Sequence, residues 1–167
     1  MHETRLLGNG SAALTRRGFV RTLAAAGAAL AMPAGVRASA LGRDGAVRPS
    51  DRIVLGGIGL GGRGTGVMRW MLNERDVQFV AICDVRKSRR EEVKRIVDEH
   101  YYNKDCEKYA EMREFLAERT DIDALLIATG DRWHALASIL AMRAGKDVYS
   151  EEPSCMTIAE GRAVMET

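Results

Sequence analysis

The stretch that most constrains this chain is Arg52-Ile-Val-Leu-Gly-Gly-Ile-Gly-Leu-Gly-Gly-Arg-Gly-Thr-Gly-Val67. An apolar run enters it and a helix-like pattern leaves it. Between them stands Gly59-x-Gly61-x-x-Gly64. In a strand–turn–helix unit, the first glycine of that spacing permits a tight turn. The second lets the backbone approach a pyrophosphate, and the third lets the helix pack close to the strand. The pyrophosphate then rests on backbone N–H groups at the positive end of the helix. A second register, Gly57-x-Gly59-x-x-Gly62, also fits. The first is preferred because Ile53 to Ile58 then forms the strand and Gly59 falls where it stops. A flexible glycine loop without a ligand is the plainer alternative. Against it stands a second apolar run, Val77-Gln-Phe-Val-Ala-Ile-Cys83, which ends in Asp84. That acid lies about twenty residues past the glycines, where a carboxylate meets the ribose 2′-hydroxyl of NAD.

The chain has 167 residues, enough for one domain of ordinary size. Its formal net charge of +2 makes no strong field, and its bases are mixed with acids, so nothing points to nucleic acid. The three cysteines, Cys83, Cys106 and Cys155, form no C-x-x-C pair and have no histidine-rich surroundings. No metal site is expected, and Cys83 reads as a small core residue at a strand end.

Residues 1–40 read as a targeting segment. Thr15-Arg16-Arg17-Gly18-Phe19-Val20-Arg21 carries paired arginines, and Thr22 to Met32 is small and moderately apolar. Ala38-Ser39-Ala40 offers an A-x-A cleavage site. The segment resembles a twin-arginine export signal, which carries folded proteins and implies the export machinery as a partner. Its apolar core is far short of the roughly twenty residues a membrane span needs. Left uncleaved, it would act as an anchor. The expected location is therefore periplasmic or extracellular. Residues 41–51 form a polar linker, and the dinucleotide-binding domain spans 52–167.

Within that domain strands and helices alternate. Strands are expected over 52–58, 77–83, near 107–109, over 122–128 and over 147–150. Helices are expected over 62–73, 89–101, 110–118 and 133–144, with a last one capped by Thr157. Val67, Met68, Met71 and Leu72 share one helical face, with Trp70 taken as packing. Val93, Ile96, Val97 and Tyr101 share another. Ser88 is the expected cap of the second helix. Glu91 and Arg95, like Arg90 and Lys94, lie i,i+4 on its outer face. The run Ile122-Asp-Ala-Leu-Leu-Ile-Ala128 is apolar almost throughout, as in a parallel strand covered on both faces. This is the pattern of an α/β fold with a doubly wound parallel sheet, Rossmann-like, of about five strands. Ligands are expected at the carboxyl ends of its strands.

Several segments together resemble the glucose–fructose oxidoreductase / inositol dehydrogenase (Gfo/Idh/MocA) family. They are Ala128-Thr-Gly-Asp-Arg-Trp-His-Ala135, Gly145-Lys-Asp-Val-Tyr-Ser-Glu-Glu-Pro153, Thr157-Ile-Ala-Glu-Gly-Arg162, the glycines and Cys83-Asp84-Val85. The resemblance covers essentially 52–167. It implies an NAD(P)-dependent oxidoreductase acting on a sugar or polyol, in which hydride passes between a carbinol carbon and the nicotinamide. Carried over by position, Gly59, Gly61 and Gly64 hold the pyrophosphate and Asp84 the adenosine ribose. Thr129 and His134 line the cofactor cleft, and Glu151 lies beside the nicotinamide ribose. NAD is the expected cofactor because Asp84 repels a 2′-phosphate, while Arg86 and Lys87 leave NADP open.

Two departures stand out. Glu152 occupies the position of the family's Glu-Lys-Pro lysine and reverses its charge, so the catalytic residues stay unassigned. The chain also ends one helix after the fifth strand, before the family's last nucleotide-domain strand and its C-terminal domain. Activity of the chain alone is therefore not expected, and the uncovered sheet edge favours self-association. A non-catalytic NAD-binding module and an inert envelope-side interaction domain are the alternative functions.

Overall fold

The computed structural model describes residues 47–167 of the chain. The twin-arginine pair, the apolar core of the leader, Ala38-Ser39-Ala40 and linker residues 41–46 lie outside the described residues.

A single 3-10 turn, Pro49–Asp51, leads into β1 (Ile53–Ile58). There follow α1 (Gly62–Met71), β2 (Val77–Cys83), α2 (Lys87–Tyr101) and β3 (Glu107–Tyr109). The chain continues through α3 (Met112–Glu118), β4 (Ala124–Ile127), α4 (Asp131–Arg143), β5 (Asp147–Ser150) and α5 (Ile158–Met165). The strands form one five-stranded sheet in the order β3-β2-β1-β4-β5, with every pairing parallel. Strand order reverses between β1 and β4. In a doubly wound sheet this switch point is where the crevice at the carboxyl edge opens.

The sheet is buried on both faces because its central strands are apolar on both. Leu126 joins Leu55, Phe79 and Ile82 in a core with Val67, Met68 and Leu72 of α1 and Val93, Ile96 and Val97 of α2. Its sequence neighbours Leu125 and Ile127 join Phe115 of α3 and Ala137 and Ala141 of α4 in the core on the opposite face. Alternate residues of a strand point to opposite faces, so one apolar run feeds two cores. Burial pushes the thiols of Cys83 and Cys106 up to about 12, so both are inert core residues.

Several local expectations are revised. Strand β1 starts at Ile53, β4 covers only Ala124–Ile127, α1 ends at Met71, and α3 starts at Met112. Helix α2 begins at Lys87, not after Ser88. Arg86 is its N-cap residue without a side-chain bond, and the Asp84 carboxylate instead accepts the Arg86 N–H at 2.7 Å. Helix α4 starts at Asp131, two residues early, because Gly130 serves as N-cap and Asp131 suits the positive first turn. Trp70 is 62% exposed and does not pack into the core. Glu91 pairs with Lys108 of β3 at 2.9 Å, while Arg95 takes Glu99 at 2.8 Å and Lys94 takes Asp98 at 2.8 Å. Thr157 does cap α5, in a reciprocal capping box with Glu160.

Phe115 is fully buried, 5.1 Å from the Tyr109 ring, and fills the space over the glycine backbone of β1. Phe115→Ala is expected to destabilise the domain by about 3–5 kcal/mol. Denaturant unfolding of the full chain measures it, and a loss under about 1 kcal/mol would contradict this core assignment.

Candidate functional site

The glycine turn leaves β1 at Gly59, whose φ of +71° is a left-handed conformation. Its N–H donates to the Cys83 carbonyl at 2.8 Å, tying the turn to the end of β2. A Cβ on Gly59 would lie 2.5 Å from Thr129 Cγ2 and 2.7 Å from Thr129 Cα. On Gly64 a Cβ would lie 2.6 Å from Ala128 Cβ. Both glycines are therefore demanded by the close approach of turn and helix to the end of β4. Gly61 differs. Its φ of −70° suits any residue, and a Cβ there would have nothing within 4 Å. The protein's own packing does not require a glycine at 61. The structure also separates the two possible registers, since Gly57 lies inside β1 while Gly59 makes the turn.

Helix α1 has no side-chain cap, and the Thr65 N–H, bonded to Gly61 O at 2.9 Å, is the first to close a helical turn. The amides of Gly62, Arg63 and Gly64 precede it, so the backbone presents N–H groups at the positive end of a helix. Leu60, fully buried, plugs the turn into the core beneath.

Asp84 follows β2 on the same edge and is half-buried. One carboxylate oxygen accepts the Arg86 N–H, and the Asp84 carbonyl accepts from Arg90. The carboxylate is thus held by the backbone of its own loop through one oxygen, and its second oxygen has no hydrogen-bond partner among the described residues. The side chains of Arg86 and Lys87 are exposed at this end of the edge.

Thr129 follows β4, and Glu151 follows β5. His134, in the first turn of α4, joins these two loops. Its Nδ1 lies 2.8 Å from the Glu151 carbonyl and its Nε2 lies 2.8 Å from the Thr129 carbonyl. A ring with a proton on each nitrogen donates to both carbonyls, and a neutral ring donates to one only. The ring is 1% exposed. It therefore acts on the cleft through the two backbones it holds, not by presenting an edge to it. The Glu151 N–H donates to Ile127 O at 2.9 Å, which further fixes that loop against β4.

The glycines, Asp84, Thr129, His134 and Glu151 thus share the carboxyl edge of the sheet. One residue there escaped the sequence analysis. Arg63, inside the glycine turn, donates from Nε to Glu151 Oε2 at 2.7 Å and from Nη2 to Oε1 at 3.5 Å. The Glu151 hydrogen bond and charge raise the Arg63 guanidinium above its ordinary value. No local pattern announces a pair 88 residues apart. Glu152 lies exposed beside this pair, so two acids stand at the end of β5.

Comparison with known proteins agrees with this geometry. Residues 53–167 match the family described as an oxidoreductase family with an NAD-binding Rossmann fold. A glycosyl hydrolase family 109 protein 1 of Bacteroides thetaiotaomicron is 34% identical over 112 residues, 66% of this chain and 24% of that protein. Its namesake in Bacteroides fragilis is 35% identical over 120 residues, 70% of this chain and 26% of that protein. The chain spans about a quarter of the length of these relatives. Among solved structures, a probable dehydrogenase from Thermotoga maritima superposes with a TM-score of 0.56 at 28% identity, over 68% of this chain and 32% of that one. The myo-inositol dehydrogenase of Lactobacillus casei, in complex with NAD(H) and myo-inositol, shares the fold with a TM-score of 0.61 at 20% identity, over 69% of this chain and 32% of that one. The chain therefore belongs to this oxidoreductase family, through an NAD-binding Rossmann-fold domain that takes up residues 53–167.

Proposed function

We propose that the carboxyl edge holds NAD with its pyrophosphate over Gly61, and that the domain serves an oxidoreductase acting on a sugar or polyol. The observation that carries this reading is the contrast among three glycines. Gly59 and Gly64 are required by contacts within the protein, whereas Gly61 faces open space in a conformation open to any residue. A missing Cβ at 61 matters to something outside the chain, and uncapped amides beside it suit an anion.

In this reading the N–H groups at the start of α1 bind the pyrophosphate, and the free oxygen of Asp84 takes the adenosine ribose. The loops after β4 and β5, held by His134, line the nicotinamide half. Bound there, the cofactor would supply a hydride acceptor for a substrate carbinol carbon. Asp84 disfavours a 2′-phosphate by like charge, which supports NAD over NADP, while Arg86 and Lys87 soften the discrimination. The names of the curated relatives favour a second reading, in which the same nucleotide domain serves glycoside cleavage. Net reduction of the nicotinamide by a polyol supports the first reading. Glycoside cleavage without net reduction supports the second.

Two variants test the cofactor site by isothermal titration of the full chain. Gly61→Ala is expected to change stability by no more than about 0.5 kcal/mol and to weaken NAD binding at least about tenfold. Gly64→Ala, by contrast, is expected to destabilise the fold, because its Cβ would collide with Ala128. Equal NAD affinity in Gly61→Ala and the parent would contradict the proposal. Asp84→Ser is expected to weaken NAD about tenfold and to narrow or reverse the preference over NADP. An unchanged ratio of the two affinities would remove Asp84 from cofactor choice.

A further inference from the structure

The Arg63–Glu151 pair ties the glycine turn to the loop after β5 across the carboxyl edge of the sheet. Arg63 stands between the second and third glycines of the turn, and Glu151 stands at the end of β5. The guanidinium bridges from the α1 side of the crevice to the β5 side through both Nε and Nη2. The Arg63 side chain is 78% exposed, while the Glu151 side chain is 13% exposed. The carboxylate is thus seated by its loop, and the arginine is the free-swinging partner. Arg63 has no partner other than Glu151 among the hydrogen bonds of the described residues. Glu152 lies near enough for its charge to add to the pull on Arg63.

Exposed ion pairs are weak because water screens both charges and the long side chains lose freedom. A guanidinium that is itself exposed gains more from a doubly charged, multidentate diphosphate than from a single carboxylate. We propose that Arg63 and Glu151 form a strap across the dinucleotide cleft, and that Arg63 exchanges Glu151 for the pyrophosphate when a dinucleotide enters. The inference rests on the dinucleotide reading given above. The exchange does two things at once. It adds a charged contact to the pyrophosphate, and it releases the Glu151 carboxylate to accept from hydroxyls of the ribose nearest β5. Before the ligand arrives, the same pair keeps each charge partnered. The seated carboxylate does not face an incoming anion unneutralised.

The strap makes Arg63 a binding residue for the pyrophosphate, and its test separates an exchange from a general change of charge. The probes are ADP, which carries the pyrophosphate but no second ribose, and adenosine, which carries neither. Both are titrated into the full chain, with thermal unfolding monitored to confirm that each variant folds. Arg63→Ala is expected to weaken ADP about tenfold and to leave adenosine unchanged. Glu151→Gln removes the competitor for Arg63 and is expected to tighten ADP about two- to fivefold. The double variant is expected to match Arg63→Ala, because the gain from Glu151→Gln passes through Arg63. If Glu151→Gln tightens ADP equally with and without Arg63, the effect is simple loss of a negative charge and the strap is refuted. Unchanged ADP affinity in Arg63→Ala refutes it too. A parent chain that binds neither ADP nor NAD overturns the dinucleotide reading itself, and the strap with it. Parental NAD binding with no response to Arg63→Ala overturns the strap alone.

Discussion

The site depends on how closely the glycine turn approaches the end of β4. Gly59 lies against Thr129 and Gly64 against Ala128 with no room for a Cβ at either position. That approach presses the start of α1 onto the switch point between β1 and β4. It also aims the uncapped amides of α1 along the crevice, where they can meet an anion. Every other feature of the edge is arranged around this contact. The Gly59 N–H reaches across to Cys83 at the end of β2, and the Ala128 N–H reaches Ile58 from the other side, so three strand ends are locked together.

The second half of the cleft is organised by one buried ring. His134 holds the carbonyls that follow β4 and β5, and it comes from a helix whose small residues, Ala137 and Ala141, let it sit close to the sheet. Binding residues on loops are only as accurate as their support. Here one buried ring lies 2.8 Å from the backbone carbonyls of both Thr129 and Glu151, so a single side chain spans the two loops. His134, placed just after a strand, is buried beneath the edge and bonds to its backbone.

Much of this was legible in the chain. The runs over 77–83 and 147–150 marked β2 and β5 to the residue: β2 is an inner, mostly apolar strand that stops at Asp84, and β5, a half-exposed edge strand, is bounded by Gly145 and by Glu151-Glu152-Pro153. The order of strands and helices followed, and with it the edge that gathers the glycines, Asp84 and the β4 and β5 loops. Boundaries failed where chemistry allowed two solutions. Asp131 suits both a turn and a first helical turn, and Asp84 displaced Ser88 as the side chain bonding at the entrance to α2. Trp70 misled because a large aromatic between Met68 and Met71 resembles core, although its position on the helix turns it to solvent. The Arg63–Glu151 pair was invisible for a different reason. It is set by the juxtaposition of two loops, not by any spacing along the chain.

The central claim is that backbone amides at the start of α1 receive the pyrophosphate of a dinucleotide. Nitrogen-labelled full chain titrated with NAD, with amide resonances followed by NMR, tests it directly. The account predicts that Gly61, Gly62, Arg63 and Gly64 move furthest, with smaller movements at Asp84, Thr129 and Glu151. Stationary amides at 61–64 under saturating NAD, or movements centred on the outer face of α2, would contradict it.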